Sequence, residues 1–203
     1  MSLLAVSKTK PFELIRQAHR LGLSTFGENY AQELAEKAQA LADLDLSWHF
    51  VGPIQSNKTS LIAECSDWVH SIDRLKIARR LSEQRPPDRG PLNILIQVKT
   101  SNEERKSGVA PEALPDLVAA VSELPNLALR GLMTIPAPAT DDVSQRRPFQ
   151  QLRELLTNLP SKHLDTLSMG MSQDLEAAIS EGATIVRVGT DIFGARYNSV
   201  PFG

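Results

Sequence analysis

An alternation constrains this 203-residue chain more than any other feature: eight short apolar or β-rich runs, separated by stretches of helical periodicity. The candidate strands are 3–7, 25–27, 48–51, 68–71, 92–98, 129–133, 166–168 and 185–188. Between them, segments such as 12–21, 30–41, 75–84, 112–124, 147–159 and 174–181 place apolar residues three and four apart, the spacing of a helix with one buried face. A strand, a helix and another strand in repeated order imply parallel strands joined by right-handed crossovers. Eight such units in a chain of this length predict an α/β fold, a (β/α)8 TIM barrel, with residues 1–203 forming a single domain. A doubly wound open sheet uses the same alphabet, and periodicity alone does not separate the two. The loops "RPPDRGP" (85–91) and "APATDDVS" (137–144) are too short to be domain linkers.

Local signals mark several boundaries. Pro11 and Pro111 suit helix starts, where a missing N–H is not needed. Ser172 and Asp174 can cap the helix that Gly182 ends. The 22 basic and 24 acidic residues make no strong field, which removes the bulk electrostatic case for a nucleic-acid partner. No apolar run is long enough to span a bilayer and no signal-peptide pattern is evident, so no membrane partner and a cytoplasmic location are expected. Cys65 is the only cysteine, leaving neither an internal disulfide nor a cysteine-based metal site, and it reads as a small buried hydrophobe. Small molecules or proteins are the expected partners, and a monomer the expected state.

In a barrel the chemistry gathers at the C-terminal ends of the strands. Lys8 follows the first strand, Glu28 and Asn29 the second, and "WHFVGPIQSNK" surrounds the third. "SMGMS" follows the seventh strand and "GTD" the eighth, placing Ser172 at a helix mouth and Gly189 and Thr190 just after a strand. Such backbone N–H groups make a ready anion site, and loops seven and eight of barrels frequently bind phosphate. Arg187, inside the eighth strand, is costly to bury unless it is paired or faces a ligand. A lysine able to form a Schiff base, a phosphate cradle and an arginine suited to a ring nitrogen together point to pyridoxal 5'-phosphate. A phosphosugar-metabolising barrel with an aldolase-type lysine shares the first two features.

The motifs "LLAVSKTKP", "FGENYAQEL", "WHFVGPIQSNK", "SIDR", "KSG", "LRGLMTIP" and "LSMGMSQDLEAAISEGATIVRVGTDIFGAR" occur in order across essentially the whole chain. Together they closely resemble the pyridoxal-phosphate homeostasis proteins, whose barrel is similar to the N-terminal domain of alanine racemase. The resemblance implies the cofactor as an aldimine on Lys8, its phosphate held by Ser172, Gly189 and Thr190 with Ser168 nearby, and Arg187 facing the pyridine nitrogen. It implies Asn29 and Met133 alongside the ring or its linkage. The implied function is non-catalytic: sequestering the cofactor and delivering it through transient contact with apo-enzymes. The alternative is an amino-acid racemase, which needs acid/base groups on both faces of the substrate carbon. In racemases a tyrosine, helped by a second domain, supplies the far face; here Tyr30 and Tyr197 are the only tyrosines and neither sits in an obvious partner motif.

Other residues carry plainer expectations. His49, on an apolar strand, reads as a hydrogen-bonded core residue, and Lys10 as solvated on a polar tip. Gln55, Ser56, Asn57 and Lys58 can begin and cap the third helix. "EERKSG" (103–108) is a candidate basic loop over the site or a bland surface loop. Asp191 is expected to point away from the phosphate, and the opposite placement would count against that assignment. Family members usually carry a helix ahead of the first strand; without it, the seam between strands eight and one is expected to leave apolar surface uncovered.

Overall fold

The computed structural model describes residues 1–101, 107–160 and 163–194. Its strands are β1 (Ser2–Val6), β2 (Thr25–Glu28), β3 (Ser47–Phe50), β4 (Trp68–Ile72), β5 (Leu92–Gln97), β6 (Leu127–Met133), β7 (Thr166–Ser168) and β8 (Ile185–Val188). All pair in parallel in sequence order, and β8 closes on β1, with Leu3 opposite Val186 and Leu4 opposite Arg187. The closed barrel decides between the two folds that periodicity leaves open.

The helices are α1 (Phe12–Arg20), α2 (Ala31–Ala40), α3 (Thr59–Cys65), α4 (Leu75–Gln84), α5 (Leu114–Ser122), α6 (Asp142–Asn158), α7 (Leu175–Ser180) and α8 (Thr190–Phe193). Each longer helix packs an apolar stripe on the barrel; in α4 this is Ile77, Ala78 and Leu81, all fully buried. Removing such a leucine or isoleucine side chain from water stabilises the fold by roughly 1.5–3 kcal/mol. The outward faces of the strands meet these stripes in one continuous core that includes Phe26, Trp48, Phe50 and Phe149.

Boundaries shift by a residue or two at many ends, but α6 differs more. The segment expected at 147–159 begins five residues earlier, inside a stretch expected to be loop. Asp141 caps it, accepting the Ser144 N–H at 2.9 Å, and Pro148 lies inside the helix. A proline forfeits one backbone bond, a local cost that burial of Phe149 and Leu152 outweighs.

Capping also departs from expectation. Asp174 precedes α7 but turns backward, accepting the Met171 N–H at 2.6 Å, and no side-chain cap forms there. Gly182 ends that helix with φ of +90°, its N–H reaching the Ile179 carbonyl. Residues 56–58 form a short 3-10 turn into α3, again without a side-chain cap. The Ser56 carbonyl instead accepts from Arg80 Nε at 3.0 Å. At the β8–β1 seam, Leu3 is 41% exposed although its strand is internal to the sheet.

Candidate functional site

The C-terminal tips of β1, β2, β7 and β8 surround a cavity of about 510 Å³. Lys8, Asn29, Ser172, Arg187, Gly189 and Thr190 all line it, so residues up to 182 positions apart in sequence meet at one site (190 − 8). Ile135, Pro136, Pro138 and Met171 give it an apolar wall. Met133 and Ser168 are not among the residues that line it. Both are fully buried, and they sit opposite each other as the last residues of β6 and β7, below the loops that form the cavity.

Ser168 acts through Arg187. Arg187 Nη1 donates to Ser168 Oγ at 2.8 Å, and Nη2 donates to the Thr134 carbonyl at 2.9 Å. Among the described residues it makes no ion pair, although only 4% of its surface is exposed. Burial lowers its pKa to about 10, which leaves it charged at neutral pH. A buried cation with neutral partners is costly and marks where an acceptor is wanted.

A longer chain of hydrogen bonds continues from Arg187. Ser168 Oγ, which accepts from Arg187, lies 2.8 Å from His70 Nδ1. His70 Nε2 is hydrogen-bonded to His49 Nδ1 at 2.9 Å. His49 Nε2 lies 3.3 Å from Ser47 Oγ. The chain runs from the cavity floor to the opposite end of the barrel. His49 is the core residue expected of it, stacked on Trp68 with ring centres 5.5 Å apart.

Burial depresses both histidines, His49 to about 3 and His70 well below its ordinary value, where His49 and Arg187 add to the effect. Under β1, Glu28 behaves oppositely: desolvation raises it to about 7 despite the neighbouring Lys37 ammonium, 2.7 Å away, and the Ser7 hydroxyl. Neutral histidines contribute stability above their unfolded pKa near 6.5, and this is lost as pH falls. Between pH 7.5 and 5 each loses about 2 kcal/mol. Glu28, with its pKa raised by folding, loses stability as pH rises from about 4.5 through 7, so acidification returns about 2 kcal/mol. The intact protein is therefore expected to lose about 2 kcal/mol net over this window, and Glu28→Gln about 4 kcal/mol. Denaturant melts at the two pH values check this; equal slopes would refute it.

Lys10 is not solvated as expected. It is 8% exposed, lines the cavity, and donates to the Phe193 and Gly194 carbonyls at 3.0 Å each, holding the end of α8. Asp191 also lines the cavity, at an exposed position. Residues 103–106 of the basic loop, and Tyr197, lie outside the described residues. Sequence reasoning missed His70 and Lys37. The signal for Lys37 is its i,i+4 spacing from Glu33 on a helix; none singles out His70, whose partners are remote in sequence. Among the described residues no group of histidine, cysteine and carboxylates is arranged to hold a metal.

The alanine racemase N-terminal domain family model matches residues 1–197. A protein from Pseudomonas aeruginosa called pyridoxal phosphate homeostasis protein is 62% identical over 201 residues, 99% of this chain and 87% of that protein. Its namesake from Escherichia coli K12 is 52% identical, over 97% of this chain and 86% of its own length. The structure of PipY from Synechococcus elongatus with PLP bound superposes with a TM-score of 0.88 at 37% identity, over 96% of this chain and 92% of that one. Alanine racemase from Corynebacterium glutamicum shares the barrel fold, with a TM-score of 0.72 at 16% identity, this chain covering 56% of it. Nearly full-length identity above one half, with the racemase-type barrel, is what membership requires: the chain belongs to the pyridoxal phosphate homeostasis protein family.

Proposed function

We propose that the cavity binds pyridoxal 5'-phosphate covalently through Lys8, and that the protein sequesters this cofactor and hands it to apo-enzymes without turning over a substrate. The observation that carries this is the junction of Lys8 with a buried, ion-pair-free Arg187 and an orphaned Asn29 Oδ1, which is buried without a hydrogen-bond partner. A cradle is present as well. A Cβ on Gly189 would stand 3.0 Å from the Val6 carbonyl, so a side chain there would crowd the approach of the backbone before Thr190 to β1. The cavity fits the group: an amine for an aldehyde, a donor for a ring nitrogen, and hydroxyls with backbone N–H groups for a phosphate.

When bound, the pyridoxal group supplies an aldehyde that links reversibly to an amine. The residues of this chain then favour holding it over using it. Arg187 only donates, so a ring nitrogen against it stays unprotonated and a weak electron sink, which suits storage better than turnover. Racemisation needs a second proton carrier facing Lys8; the described lining residues include no tyrosine, histidine or cysteine, the Lys10 ammonium holds two carbonyls and Asp174 accepts the Met171 N–H, which leaves exposed Asp191. Among those residues three cations, Lys8, Lys10 and Arg187, outnumber the carboxylates of Asp174 and Asp191. Asp174 is engaged with the Met171 N–H, and exposed Asp191 is screened by water, which limits its opposition to a phosphate. PipY with PLP bound supports the same ligand.

The test is incubation with the cofactor, borohydride reduction and peptide mapping, with a single label expected on Lys8. Turnover of amino acids by the loaded protein would favour the racemase reading instead. Arg187→Met keeps the side chain's bulk but removes a charged donor, and is expected to weaken binding by about 10- to 100-fold, since such a bond contributes roughly 1.5–3 kcal/mol. Equilibrium titration measures this, and an unchanged affinity would remove Arg187 from the site.

A further inference from the structure

Lys8 sits in a turn of unusual build. Lys10 N–H closes it on the Ser7 carbonyl at 3.0 Å, and its third residue, Thr9, has φ of +62°. Glycine is the usual residue there, because a β-branched side chain crowds the backbone at positive φ. Something outside the turn must hold Thr9 in place. Glu33 Oε1, on α2, accepts the Thr9 N–H at 2.6 Å. The same oxygen accepts from Lys37 Nζ at 2.6 Å.

Lys37 carries the restraint to the other side of Lys8. Its ammonium, 2% exposed, also donates to the Ser7 carbonyl at 2.6 Å and to Glu28 Oε1 at 2.7 Å. Glu28 Oε1 accepts in addition from Ser7 Oγ at 2.6 Å. All three ammonium protons are used, and the residues on either side of Lys8 are tied to one buried cation. None of these groups lines the cavity, so the cluster does not serve as ligand contacts.

We propose that Glu33, Lys37 and Glu28 are positioning residues, clamping Ser7 and Thr9 so that the Lys8 amine enters the cavity in one orientation. The proposal rests on Lys8 being the attachment point. The clamp spans two strand tips and one helix, and it ties the geometry of the attachment lysine to the packing of α2 against the barrel. Burying an ammonium between two carboxylates is a weak route to stability, which leaves orientation as its use.

The test compares the full chain with Glu33→Ala, Thr9→Gly and the double variant. Glu33 is partly exposed, but its removal leaves the buried Lys37 ammonium with one carboxylate fewer, so some loss of stability is expected and is read separately from attachment. Three readouts are taken: melting without ligand, the melting shift produced by inorganic phosphate, and the extent of borohydride-trapped pyridoxal 5'-phosphate at Lys8 across a concentration series. Glu33→Ala is expected to melt below the parent while remaining folded, and to show the same melting shift with phosphate as the parent does. Its attachment at Lys8 should weaken at least tenfold. Adding Thr9→Gly should restore most of the loss, because glycine takes a positive φ without the carboxylate's help. Attachment as tight as the parent's in Glu33→Ala, or a loss that glycine leaves unrepaired, would overturn the clamp while leaving Lys8 as the anchor. A parent chain without label on Lys8 would instead overturn the anchor itself, and the clamp with it.

Discussion

Lys8→Ala is expected to abolish the borohydride-stable label and to weaken cofactor binding at least a hundredfold, about 3 kcal/mol or more. The expectation comes from the site's construction. Lys8 is half-buried at the tip of β1, and its amine is the group that can form a covalent bond with an aldehyde in this cavity. Lys10 lines the same cavity, but its ammonium holds the Phe193 and Gly194 carbonyls and is not expected to substitute. The proposed phosphate cradle should survive the change, because Ser172, Gly189 and Thr190 lie on the loops after β7 and β8. Weak, non-covalent binding should therefore remain, visible as a melting shift without a trapped adduct. A label of parental yield moved to Lys10 would show that the cavity does not discriminate between the two amines.

The second large effect is on folding and site together. Gly52 follows β3, and a Cβ built there would overlap the Asn29 carbonyl oxygen and stand 2.7 Å from both its carbonyl carbon and Cα. All three atoms are backbone, so no rotamer relieves the overlap. The tips are also bound together: Val51 N–H donates to the Glu28 carbonyl at 2.9 Å, and Ser71 Oγ donates to the Gly52 carbonyl at 2.6 Å. Gly52→Ala must push the β2 tip away, and is expected to destabilise the protein by about 3 kcal/mol, at the upper end for overpacking. Because Asn29 lines the cavity, the surviving folded fraction should also bind the cofactor less tightly. Denaturant unfolding and titration measure the two effects, and a stability within about 0.5 kcal/mol of the parent would contradict the close approach.

The parts of this protein that depend on local signals are legible in its sequence. Each strand announces itself as a short apolar run, and Lys8, Gly189 and Thr190 gather because barrel loops share one end. What is not legible depends on partners far away in the chain. Lys10 looks like an ordinary exposed lysine until α8, more than 180 residues later, places two carbonyls on it. The hydrogen bonds of Ser168 to His70 in β4 and Arg187 in β8 join residues that the sequence keeps apart. Met133 falls below the cavity because β6 ends there with its side chain in the core. The start of α6 is obscured by Pro148, a residue that ordinarily ends helices and here sits within one.

This placement matters for function. Arg187 is held by neutral groups rather than by a carboxylate, so its charge stays available to the cavity, and a chain of hydrogen bonds beneath it fixes its orientation. The β1 turn fixes the amine on the other side. Between these two anchored groups the cavity offers donors and an amine, an arrangement suited to keeping an aldehyde bound and returning it intact.

A crystal structure of the full chain grown with pyridoxal 5'-phosphate tests covalent capture at Lys8 most directly. The expected result is electron density continuous from Lys8 Nζ to the cofactor, the ring nitrogen against Arg187, and the phosphate among Ser172, Gly189 and Thr190. Density ending at an unmodified Lys8, or a phosphate seated away from the loops after β7 and β8, would contradict it.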